Sequence, residues 1–179
     1  MIAIKLLDAA VYCAAAAALI ALPFWIFNQI KYLKRRAATK LNPDLVVGFP
    51  VKSVMFFAVP LLIAIGLSQS MTSLALDEVL DFVRGLSGEY KVYVNHEPVS
   101  DADGEKIVSA LRQTSSVLGH HSHPTKRIRV DINSEQGNIT LELGRDSQIS
   151  EEYWVFYPKY SLTSTNEIGR ITTPVFDQY

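Results

Sequence analysis

Apolar and polar positions follow three different rhythms along this chain. From residue 9 to 27 there is none: "AAVYCAAAAALIALPFWIF" runs 19 residues without a charge. As a helix that stretch is about 28 Å long, close to the hydrocarbon thickness of a bilayer. Apolar sequence continues to Ile30, and cleavage as a signal peptide would leave "KYLKRRAATK" to be exported. Residues 1–30 are therefore expected to form a retained first transmembrane helix. A second uncharged run, "VMFFAVPLLIAIGLSQSMTSLAL" at 54–76, predicts a second transmembrane helix over 53–75, kinked at Pro60. Between them, 31–52 reads as a basic loop and an interfacial connector. Two prolines and a glycine break "LNPDLVVGFPV" too often for a span.

The rhythm then changes to that of an amphipathic helix. Leu76, Val79, Leu80, Val83 and Leu86 recur at three- and four-residue spacing, predicting a helix that can run on from the second span and stops at Gly85 or Gly88. From residue 89 alternation takes over. "EYKVYVN" predicts a strand, "NHEP" a turn, and Ser100 caps a helix expected to reach about Val117, burying Ile107, Val108, Leu111 and Leu118. Strands follow at 127–133, 138–144, 152–158 and 167–174, the first two joined by a hairpin connection from Asn133 to Gly137. The fold class expected is a transmembrane helical hairpin plus a small α+β domain over 76–179, mainly antiparallel sheet with one packed helix.

Charge decides how that hairpin is oriented. The net charge of −1 hides a split: residues 1–70 hold seven Lys and Arg against two acids, and residues 71–179 hold ten against sixteen. Six of the seven bases in the first part fall within 31–52, which makes that segment cytoplasmic by the positive-inside rule. Both termini and the α+β domain are then extracytoplasmic, periplasmic in a Gram-negative cell. An acidic domain repels phosphate, so nucleic acid is not an expected partner. Cys13 is the single cysteine and excludes an internal disulfide.

Candidate chemistry is sparse. "LGHHSHPTKR" places His120, His121 and His123 in four positions, and with His96 they compose a potential zinc, copper or nickel set. Adjacent histidines do not share a compact coordination shell easily. The preferred reading is a solvated loop stopped by Pro124, with no cofactor. "SDADGE" at 100–105 misses the EF-hand pattern, because its glycine comes early and Arg112 stands where a bidentate Glu is needed. Asp8 reads as a helix-start acid, and Asn138-Ile139-Thr140 matches a glycosylation acceptor. "YWVFYPKY" puts Trp154 and Phe156 on the face of a strand opposite its neighbours, as candidates for partner contact. Ala10, Ala14 and Ala18 form a small-residue stripe suited to close helix approach in lipid, against the second span or a partner's helix. No H-E-x-x-H, P-loop, G-x-G-x-x-G or G-x-S-x-G motif occurs.

These features predict a non-enzymatic, two-pass accessory or interaction subunit of a membrane or envelope assembly. Its partners would be the lipid bilayer and another membrane or extracytoplasmic protein. Two alternatives keep the same architecture: an immunity or inhibitor protein masking a toxic enzyme at the outer face, and an extracytoplasmic metal-binding protein using the His120–His123 cluster.

Overall fold

The structure, a computed structural model, describes residues 2–39, 46–116 and 121–179. Its contacts divide the chain into two units, Met1–Gln69 and Ser70–Tyr179.

The first unit is helical. Helix α1 spans Ile2–Ala38, and helix α2 (Val51–Gly85) begins in this unit. Both are long and apolar enough to cross a membrane. The basic stretch 31–36, expected in a loop, instead extends α1 by two turns. Lys, Arg and Ala are strong helix formers, and cations in the last turn complement the helix dipole. Pro23 and Pro60 both lie inside helices. Aromatic rings meet within the unit: Trp25 stacks on Phe57 with centroids 5.1 Å apart, Phe24 meets Phe56 edge-on at 6.0 Å, and Tyr32 meets Phe49 at 5.5 Å. Ala10 and Ala14 are half-buried and Ala18 is buried, so the small-residue stripe lies on an inner side of α1. Large side chains remain uncovered on other sides, with Ile20 77% and Leu62 66% exposed.

The second unit is an α+β domain around a six-stranded antiparallel sheet. Its strands are β1 (Tyr90–Val94), β2 (Glu97–Pro98), β3 (Pro124–Ser134), β4 (Gly137–Asp146), β5 (Glu152–Phe156) and β6 (Gly169–Thr172), in the order β2-β1-β3-β4-β5-β6. Val94 pairs with Val130 and Val130 with Leu141; Ile128 pairs with Leu143 and Leu143 with Val155. Register therefore gathers one apolar face, as strand alternation demands. Helix α3 (Asp101–Leu111) contributes Ile107, Val108 and Leu111 to this core, and the end of α2 contributes Val79, Leu80 and Val83. The helix expected at 76–88 is the continuation of α2 to Gly85.

Several boundaries differ from expectation. Helix α3 stops at Leu111, six residues before the expected end, and Arg112 turns back to donate from Nε to the carbonyl of Val83 at 2.9 Å. Val117, Leu118 and His120 lie outside the described residues. The β3–β4 connection shrinks from five residues to Glu135 and Gln136, because the strands keep pairing to Ser134 and Gly137. Strand β2 and the short helix α4 (Ser161–Thr165) carry no periodic signal, being too short to show one. Gly169 is obligatory for packing: a Cβ there would stand 2.8 Å from the carbonyl oxygen of Ser115, whose backbone pairs with Arg170.

Candidate functional site: an acidic groove beside the sheet edge

β2 covers the outer edge of β1 at Tyr93 and Val94, and the Val99 amide extends that cover by donating to the Val92 carbonyl at 3.1 Å, so the cover thins out toward Tyr90. Beside the uncovered part, the first turn of α3 and the β3–β4 hairpin enclose an open groove of about 700 Å³. The sequence builds it through two local devices. Ser100 caps α3, its Oγ accepting from the amide of Asp103 at 3.2 Å, which fixes where the acidic first turn begins. Gly104 lets α3 settle onto β1, since a Cβ there would stand 3.3 Å from Val92 Cγ2.

The groove is polar and negative. Among the described residues, Glu89, Asp101, Glu105 and Glu135 line it against one ammonium, that of Lys91. The acid excess of residues 71–179 is thus partly concentrated in one concavity, where low-dielectric walls focus the field. The Tyr90 hydroxyl is buried beside the groove, near the Glu105 carboxylate. Burial, reinforced by the nearby Glu105 carboxylate, pushes its pKa up to about 12. The groove can accept hydrogen bonds and attract cations. Its lining contains no histidine or cysteine that would serve as base or thiol nucleophile.

A second cluster sits on the opposite face of the sheet and is chemically saturated. The Arg170 guanidinium lies 4.0 Å over the Trp154 ring, donates twice to Glu167 at 2.7 and 2.9 Å, and donates to Glu152 at 2.7 Å. Asp146 accepts from Ser122 Oγ, from Trp154 Nε1 at 2.7 Å, and from the amides of Gln148 and Ile149. Burial opposes the charge of Asp146, but these four donors outweigh it and hold the carboxyl well below the usual carboxylate range. Contacts with Glu167, then with Glu152, likewise raise the pKa of Arg170 against the effect of burial. Such groups pin strands and loops together rather than exchange protons.

The residues singled out from sequence fall as follows. Trp154 is half-buried beneath Arg170, and Phe156 is 1% exposed beneath the Arg127 guanidinium at 4.1 Å. His121 and His123 are exposed in the segment before β3, held by Gln148 Nε2 on the His121 carbonyl and by Ser147 Oγ on the His123 amide. His96 lies in the β1–β2 turn, its Nδ1 4.0 Å from Asp131. Eight residue steps along β3 separate His123 from Asp131, about 25 Å of strand, so His96 is not brought to His121 and His123. Among the described residues no group of three or more His, Cys, Asp or Glu side chains could hold a metal ion.

Sequence reasoning missed Tyr90, Asp146, Glu152, Glu167 and Arg170. Alternation marks Arg170 as facing the same way as Trp154, but only strand register shows that they meet. No family model, no curated protein and no solved structure matches this chain.

Proposed function

We propose that the protein is a membrane-anchored, non-enzymatic accessory subunit whose α+β domain holds a basic, extended segment of a protein partner in the acidic groove. The observation that carries the anchor is the uncovered apolar surface of the first unit. Leu19, Ile20, Phe27 and Leu62 are each 65–77% exposed along helices of membrane-spanning length. Water disfavours that surface by roughly 25 cal/mol per Å², whereas lipid receives it without penalty. Basic residues between 31 and 52 support a cytoplasmic connection and an extracytoplasmic domain. In that compartment the groove offers four carboxylates beside an incompletely covered strand edge, a combination suited to main-chain pairing with a cationic peptide.

The test is extraction of the full chain in mild detergent, followed by crosslinking and sizing. A discrete complex is expected, lost when Glu89 and Glu105 are both changed to Lys and retained when the exposed acids Asp77 and Asp81 are changed instead. A wild-type monomer without companions would refute the accessory role. A complex indifferent to the groove substitutions would refute the groove.

A further inference from the structure

Within the first unit, α1, the segment 46–50 and the start of α2 enclose an apolar crevice of about 1000 Å³. Ile20 and Phe24 line it from α1, Phe49 from the connecting segment, and Phe56 from α2, with Lys52 at the rim. A second, more polar recess adjoins it through Asn28 and Pro50, and carries Lys31 and Arg35. On α1 the residues Ile20, Phe24, Asn28, Lys31 and Arg35 follow one another at three- and four-residue steps. They form a single helical stripe that changes from apolar to cationic where the uncharged run ends.

We propose that this crevice binds one anionic membrane phospholipid, with an acyl chain along Ile20, Phe24 and Phe56 and the headgroup phosphate among Lys31, Arg35 and Lys52. The inference rests on the membrane insertion proposed above. Depth supports it: Ile20 lies about 16 Å along the helix axis from Lys31, so an apolar chain entering at the cations runs toward the bilayer interior. Two polar side chains in the crevice already bond within their own helices or turns. Asn28 Nδ2 donates to the Phe24 carbonyl at 2.8 Å, and Ser53 Oγ to the Pro50 carbonyl at 2.9 Å, leaving hydrocarbon as the fitting content. Among the described residues no carboxylate lies within ion-pair distance of Lys31, Arg35 or Lys52. The positive-inside orientation places these cations at the cytoplasmic leaflet, where anionic lipids set a negative surface potential.

The experiment titrates the full chain in mild detergent with phosphatidylglycerol and phosphatidylcholine and reads retention by native mass spectrometry. Wild type is expected to keep one phosphatidylglycerol in preference to phosphatidylcholine. Changing Lys31, Arg35 and Lys52 together to Ala should cut that preference by roughly a hundredfold, at roughly fivefold per cation. Ile20→Trp, which narrows the apolar end of the crevice and leaves every charge in place, should also reduce phosphatidylglycerol retention. Glycerol phosphate, which has the headgroup chemistry without acyl chains, should not compete. Equal retention of the two lipids by wild type, or an Ile20→Trp variant that binds as before, would overturn the proposal, as would competition by glycerol phosphate. Alkaline carbonate extraction of the source membranes, before detergent is added, separates the two levels. Protein that leaves the membrane refutes the anchor itself, whereas protein that stays without lipid preference refutes the crevice alone.

Discussion

Asp146 is 4% exposed and accepts two side-chain and two main-chain hydrogen bonds, so its ionised form is part of the fold. Removing it leaves Trp154 Nε1, Ser122 Oγ and two amides without their acceptor and deprives Arg170 of a nearby counter-charge. Asp146→Ala is expected to cost about 3 kcal/mol, as loss of one partner from a buried charged cluster does. Thermal unfolding of the full chain in detergent, followed by near-UV circular dichroism, measures it. The pH dependence has a definite sign. A carboxyl held below its ordinary pKa stabilises the native state above that ordinary value, and the stabilisation fades as pH falls toward the folded value. Wild type should lose stability progressively below about pH 4, and Asp146→Ala should show a shallower acid limb. An acid limb unchanged by the substitution would mean that Asp146 is not ionised in the native protein.

Elements are joined in this domain by a few polar contacts that strand and helix patterns do not reveal. Glu78, near the end of α2, accepts from Tyr160 at 2.6 Å, from Tyr157 at 3.2 Å and from Lys159. Burial, then the hydrogen bond and charge of Glu78, pushes the Tyr160 hydroxyl up to about 12. Glu78→Ala should destabilise the domain by about 1–3 kcal/mol, with Glu78→Gln losing less. Hydrogen exchange should speed up in α4 and at residues 157–160, and unchanged exchange there would exclude Glu78 as the fastening point. The β1–β2 turn makes a second prediction of opposite sign. Asn95 and His96 both adopt positive φ, 51° and 72°. Asn95 offsets its conformation by accepting from the Arg129 amide at 3.0 Å, whereas among the described residues the exposed, left-handed His96 has only a 4.0 Å pair with the half-buried Asp131. His96→Gly is expected to stabilise the hairpin by about 0.5 kcal/mol, seen as a rise of a few degrees in Tm. A lower Tm would show that the imidazole contributes more than its turn conformation costs.

For the whole molecule the governing contrast is between a unit that exposes apolar side chains and one that buries them. In the proposed reading, bilayer insertion would resolve the first, and the cationic segment 31–52 would set which way the hairpin faces. Protease added to intact spheroplasts should digest the domain beyond Gly85 while sparing the segment between α1 and α2. A domain shielded until lysis would invert the proposed orientation. The same contrast explains how a nearly neutral chain carries a cationic crevice and an acidic groove: opposite charge excesses occupy different units.

Patterns that repeat a local rule over many residues are legible in the amino-acid sequence by itself. Uncharged runs of membrane-spanning length, the three-to-four spacing of Leu76 to Leu86 and the alternation in β1, β3, β4 and β5 are of this kind. The two long helices, the α+β class and most strands follow from them. Contacts between distant residues are not legible in that way. Arg170 meeting Trp154, Glu78 meeting Tyr160 and Tyr90 buried beside Glu105 depend on strand register and on where helices stop. Those are settled by packing among segments that carry no local mark of one another. Sequence determined which surfaces needed covering; only the tertiary structure decided which side chains cover them, because burial is set by local composition whereas pairing is set by geometry over the whole domain.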